Sequence, residues 1–192
     1  MSEEKDDDKK KDKEGSLGQQ IEKQYVKDRK VFLWGTVNDD SAKYVIDRLL
    51  YLDQKDPGKD ITLIINSPGG YVTSGFAVYD AMKSLKSEVS TVCMGLAASM
   101  GSILLSGGAK GKRFIYPLAK VMIHQPSGGS RGTSADIEIQ ALEILKTKEI
   151  GARLLAENCG QEYERVMKDF NRDYWMDAEE SLAYGIIDGI MK

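Results

Sequence analysis

Cysteine is scarce in this chain, with only Cys93 and Cys159 in 192 residues. Two such distant thiols make no disulfide framework and lack the close spacing of a zinc-ligand pair. Both are expected to be reduced and to pack as small apolar side chains. Long hydrophobic runs are missing as well. None reaches the roughly 20 apolar residues that a membrane-spanning helix needs, and the N-terminus has no apolar stretch like that of a secretory signal. The expectation is a soluble, cytoplasmic chain with no membrane partner. Nor is there an excess of charge of one sign: 27 Lys and Arg stand against 30 Asp and Glu, a formal net charge of −3. Both signs are mixed along most of the sequence, so no extended basic surface for nucleic acid is expected. Histidine is the rarest titratable residue, with His124 alone, and a metal site built on imidazoles is not expected.

What is present suits one globular domain. Hydrophobic residues make up 41% of the chain, enough for a sizeable core at this length. Residues 1–18 are almost all charged or small, and ordering them would cost entropy with no compensating burial. They read as a disordered, solvated tail, with residues 19–192 as a single domain. Val31–Trp34 and Ile61–Ile65 are β-rich apolar runs. Each precedes a segment of helical periodicity, first Ser41–Leu52 with Ser41 placed to cap it, then a segment carrying Phe76, Tyr79, Met82 and Leu85. Val89–Met94 followed by Ala97–Leu105 repeats the pattern, with Gly95 read as the turn and Gly107 and Gly108 closing the helix. Phe114–Tyr116 and Val121–Ile123 read as short strands. A Gly/Ser-rich loop, Ser127–Gly132, then opens a long helix from about Ser134 to Glu157. Asp177 with Glu180 has the spacing of a reciprocal N-terminal cap, and Gly185 ends that helix before a strand at Ile186–Met191. The fold class is α/β with repeated βα units. The apolar positions of the long helix, among them Leu142, Leu145 and Ile150, spread wider than one stripe, so a neighbouring subunit is expected to cover it.

Ser99 lies among small residues between a strand and a helix. A turn of that kind presents a side chain where unpaired helix N–H groups favour a developing negative charge, although the same position equally suits a plain N-cap. His124 follows a strand directly, where an imidazole can exchange protons with a substrate or a neighbouring hydroxyl. A serine hydroxyl is a weak nucleophile and needs such a base, and the base in turn needs a carboxylate to fix its tautomer. Composition does not choose that carboxylate among 30 acidic residues; Asp173, in the loop Asn171–Met176, is one candidate and reads as readily as a loop cap. The turn Ser67–Gly70 lets the backbone approach a ligand closely and aim an N–H at an oxyanion.

Taken together, INSPGG (65–70), CMGLAASMGS (93–102), MIHQPSGG (122–129), ADIEIQ (135–140) and RDYWMDAEESLAYGIID (172–188) resemble the proteolytic subunits of the Clp protease, the ClpP family, over Val31 to about Met191. The resemblance implies a ClpP/crotonase-like spiral of ββα units with a long protruding helix that interlocks two stacked seven-membered rings. It implies Ser99 as nucleophile, His124 as base and Asp173 as the orienting carboxylate. The N–H groups of Gly70 and Met100 become the oxyanion hole. A substrate would lie extended between Gly70–Val72 and Pro126–Gly128, touching Gly70, Val72, Pro126, Ser127 and Gly128. Unfolded proteins would be the substrates, with no metal or cofactor in this subunit; ATP would be used by a partner unfoldase docked on the ring. Two departures stand out. Thr62, Ile64 and Ser84 occupy positions where the family places aromatic residues that receive the ATPase loop, and the N-terminal segment GSLGQQIEKQYVKDRK replaces the usual axial segment. The first should weaken ATPase docking and the second speaks against gating by the usual axial loop; the expectation is a chain that joins a ring of a second, paralogous type supplying the docking surface. The alternatives are a catalytically silent structural ring subunit, which an intact Ser-His-Asp set argues against, and a crotonase-type acyl-CoA hydratase or isomerase, which would not need a nucleophile.

Overall fold

The computed structural model describes residues 16–192. In chain order its elements are α1 (Leu17–Lys27), β1 (Lys30–Trp34), α2 (Asp39–Lys55), β2 (Ile61–Ser67), α3 (Val72–Ser84), β3 (Val89–Ala98) and α4 (Met100–Ser106). After these come β4 (Arg113–Ile115), β5 (Lys120–Ile123), α5 (Ser134–Cys159), α6 (Tyr163–Asp169), β6 (Tyr174–Met176), α7 (Ala178–Tyr184) and β7 (Gly189–Ile190). The expected α/β class is what forms. Strands β1-β2-β3-β4-β7 make a parallel sheet in that order, as repeated βα units dictate. Strand β2 alternates little and is buried along most of its length, including Ile61, Leu63 and Ile65, as a strand covered on both faces requires.

Most of the expected tail, residues 1–18, lies outside the described residues, but its last three do not behave as a tail. Ser16 caps α1, its hydroxyl accepting from the Gln19 N–H while the Gln19 side chain accepts from the Ser16 N–H. Charge hides this helix in the sequence. It is held by Glu22, which accepts from Tyr44 and Arg48 of α2, and by Tyr25 against Phe32, with ring centroids 4.6 Å apart. Ser41 is likewise not the cap of α2. Asn38 is, with Ser41 as its reciprocal partner three residues on. The last strand is shorter than expected, Gly189–Ile190 rather than Ile186–Met191; Ile186 and Ile187 are buried core residues outside any strand. The two cysteines are buried and unpaired, and burial pushes both thiols up to about 12.

The largest departure concerns Gly95. It is not a turn between strand and helix; β3 runs through it to Ala98, with a kink at a φ of 90° that favours glycine. Before the kink, Thr91–Cys93 pair with β4; after it, Leu96–Ala98 pair with β5. One strand thus belongs to two neighbours in succession. Strand β6 then adds antiparallel to β5, pairing Ile123 with Tyr174.

The C-terminal end of α5 is tied to the core by polar contacts. Asn158 accepts from Tyr79 and donates to Ser106, its carbonyl accepts from Arg113 at 2.7 Å, and Arg113 forms an ion pair with Asp188. The other end has no such support: residues 131–143 are exposed, and Ile139, Leu142 and Leu145 are each more than half exposed. The long helix therefore protrudes, as expected, with an apolar surface that the other described residues leave uncovered.

Candidate active site

Three elements bring the candidate residues together. The kinked second half of β3 delivers Ser99 beside the end of β5, where the Ser99 N–H donates to the Met122 carbonyl at 2.9 Å. His124 follows β5 directly. Asp173 immediately precedes β6, so the antiparallel pairing of β6 on β5 sets it next to His124. The adjoining loop is fixed by the Gln125 N–H, which donates to the Phe170 carbonyl at 2.5 Å, and by the Gln125 side chain, which donates to the Asn171 carbonyl at 2.8 Å.

The result is a continuous hydrogen-bonded chain. Ser99 Oγ lies 3.0 Å from His124 Nε2, and His124 Nδ1 lies 2.9 Å from Asp173 Oδ1. An ionised carboxylate only accepts, so Nδ1 carries the proton and Nε2 is left with its lone pair toward the serine hydroxyl. That is the tautomer a base requires. Ser99 does occupy the N-cap position of α4, but its side chain makes no capping bond. Its backbone sits at φ 53° and ψ −122°, a conformation that costs a non-glycine residue about 1–3 kcal/mol. The bland reading of Ser99 as a helix cap thus loses its physical basis, since the hydroxyl is spent on His124.

Facing Ser99 is the turn at Gly69 and Gly70. A Cβ on Gly69 would fall 2.6 Å from Ser99 Cβ and 3.0 Å from the Met100 nitrogen; one on Gly70 would fall 2.1 Å from the Val37 carbonyl oxygen. No side chain fits at either position, so the close approach of this turn to the nucleophile region depends on glycine. The Gly69 N–H donates to Ser67 Oγ and the Tyr71 N–H to the Val37 carbonyl, which pins the backbone on both sides of Gly70. Met100 opens α4, and a first-turn helix N–H has no intrahelical acceptor. The expected substrate-contacting stretches flank this point. Gly70–Val72 leads into α3, and Pro126–Gly128 follows His124, with Ser127 and Gly128 exposed.

An apolar pocket opens beside Ser99 and His124. Val72 and Phe76 of α3, Ile103 of α4, Phe170, and Thr147 and Gly151 of α5 line it. Sequence reasoning misses nearly all of these because they come from separate segments. The one local signal is Gly151, a glycine in the middle of a helix.

The sequence also matches the family model described as Clp protease, over residues 13–192.

Proposed function

The chain belongs to the Clp protease family, and from that premise we propose that it is a serine endopeptidase subunit that cuts unfolded proteins into short peptides. The observation that carries this reading is the unbroken chain from Ser99 through His124 to Asp173, with contacts of 3.0 and 2.9 Å.

In the proposed reaction, Ser99 Oγ attacks the peptide carbonyl carbon as its proton passes to His124 Nε2. Asp173 stabilises the imidazolium so formed. The carbonyl oxygen takes up the negative charge and is met by the N–H groups of Gly70 and Met100. Collapse breaks the C–N bond, and His124 hands its proton to the leaving amine. Water then enters and gives a proton to His124. The resulting hydroxide attacks the acyl-serine, and breakage of the C–Oγ bond returns the proton to Ser99. No cofactor takes part in this chain. The substrate lies extended between Gly70–Val72 and Pro126–Gly128, bound through its main chain, which tolerates many sequences.

In this reading the protruding part of α5 interlocks stacked rings, and an ATPase unfoldase feeds the enclosed chamber. The docking face of this chain is poor in aromatic area: Thr62 is half-buried, Ile64 buried and Ser84 exposed. Aromatic anchors contribute much of the energy at such contacts. We therefore assign ATPase docking to a paralogous ring that pairs with this one. Degradation of an unfolded protein, measured for the chain alone and with its paralog and ATPase, tests this. Activity should require the paralog and fall when Ser99→Ala is introduced in this chain. Full ATPase-dependent activity of this chain alone would contradict the paralog assignment.

A further inference from the structure

We propose that Ser102 is a positioning residue for the oxyanion hole, its hydroxyl aiming and polarising the Met100 N–H that meets the carbonyl oxygen under attack by Ser99. This deepens the reading given above and rests on it. Ser102 is fully buried in α4, and its Oγ donates to the Ser99 carbonyl at 2.6 Å. The same carbonyl accepts from the Ser102 N–H at 3.0 Å and from the Ile103 N–H at 3.3 Å. A helical serine commonly returns its hydroxyl to a carbonyl three or four residues back, and Ser106 does so to Ile103 at 2.8 Å. What sets Ser102 apart is the peptide unit it reaches.

The Ser99 carbonyl and the Met100 N–H are the two ends of one planar peptide group. A donor fixed on the oxygen therefore fixes the direction of the N–H. It also draws electron density toward the oxygen and leaves the amide hydrogen a stronger donor. The Ser99 backbone, at φ 53°, is a conformation that persists only where its surroundings over-determine it, and three donors on one carbonyl do that. The second proposed oxyanion donor is built alike. The Gly70 N–H shares its peptide with the Gly69 carbonyl, which accepts from the Val37 N–H at 2.8 Å. There the support is main chain and no substitution removes it; at Met100 a side chain takes part, and it can be deleted. Its loss strands no polar group, because the Ser99 carbonyl keeps both N–H donors.

The test compares a peptide ester with its thiono counterpart, in which C=S replaces C=O at the attacked carbon. In both, Ser99 Oγ bonds to that carbon, its proton passes to His124, and the alcohol leaves with the proton. Sulfur is a weak acceptor, so the thiono ester draws far less on the oxyanion N–H groups. The ratio of the two rates therefore reads the hole itself, and neither stability nor the placement of the nucleophile moves it. Rates are measured on the full chain in its active assembly, with the site of any paralogous ring inactivated. Losing a whole oxyanion donor costs about 10²–10³-fold in kcat, and one bond polarises the next by about 10–30%. Ser102→Ala should accordingly lower kcat for the ester about two- to eightfold with KM unchanged, and lower the ester-to-thiono ratio by the same factor. Ser102→Cys, which refills the space with a weak donor, should lose as much. Ser106→Ala, which removes the same kind of local bond from another peptide, should leave the ratio unchanged. An unchanged ratio in the Ser102 variants, a loss confined to KM, recovery in Ser102→Cys, or an equal fall in Ser106→Ala would overturn the assignment while leaving Ser99 as nucleophile. Failure of the wild-type chain to cleave the ester, together with no labelling of Ser99 by a fluorophosphonate, would remove the underlying reading and this inference with it.

Discussion

The Ser99 N–H donates to the Met122 carbonyl at 2.9 Å, so the proposed nucleophile is anchored to the strand that ends at the proposed base. That bond exists because β3 bends at Gly95 and passes from β4 to β5 as its neighbour.

Gly95 should therefore matter to chemistry from a distance. Its φ is 90°, and a Cβ there would lie 3.0 Å from Asn66 Oδ1. Gly95→Ala must either hold a strained backbone or straighten the strand and draw Ser99 away from His124. Misplacement by about 1 Å costs on the order of 100-fold in rate. The variant should keep its helix and sheet content by circular dichroism while peptide hydrolysis falls by about that factor. Unchanged hydrolysis would mean that the kink does not position Ser99.

Asp173→Asn tests the tautomer argument. An amide can donate to Nδ1, which moves the imidazole proton to Nε2 and turns a hydrogen toward Ser99 Oγ instead of a lone pair. The geometry survives and the base does not. We expect kcat to fall by about 10³–10⁴-fold with little change in KM. A loss seen only in KM would place Asp173 in substrate binding.

The ion pair of Arg113 with Asp188 links β4 to the C-terminal strand and, through Asn158, to the root of α5. The Arg113 guanidinium holds the Asp188 carboxyl below its ordinary value of 3.8. A lowered carboxyl binds fewer protons folded than unfolded, so the pair adds stability above the unfolded value and loses it as pH falls through the lower folded one. Asp188→Asn leaves the buried Arg113 without its counter-charge, a cost of about 3–5 kcal/mol near neutral pH. Chemical denaturation as a function of pH should show the two chains converging below about pH 4. A constant gap down to pH 2 would contradict the charge-based account.

The fold and the site were legible to different depths, for physical reasons that particular residues show. Local patterns revealed β1, β2, the long helix and the Asp177–Glu180 cap, because periodicity and capping act over a few residues. Strand β6 and the pairing that sets Asp173 beside His124 are long-range, and Tyr174–Met176 is too short to carry a pattern. Asp173 was accordingly one candidate among many acids, and only the family resemblance singled it out. Gly95 misled because a glycine after an apolar run looks the same whether the strand ends or bends; the partner strand decides, and β5 lies some 25 residues further on. Helix α1 was hidden because its contacts, Glu22 with Arg48 and Tyr25 with Phe32, depend on residues elsewhere in the chain. The pocket beside Ser99 draws on α3, α4, α5 and two loops, and no single segment announces it.

The central claim is that Ser99 is an activated nucleophile rather than a helix cap in a silent ring subunit. Treating the native assembly with a fluorophosphonate and measuring intact mass tests it most directly. We predict one adduct per chain, located on Ser99, absent in Ser99→Ala and strongly slowed in His124→Ala. An assembly of chains, with or without a paralog, in which Ser99 stays unlabelled would contradict the account and leave this protein a scaffold.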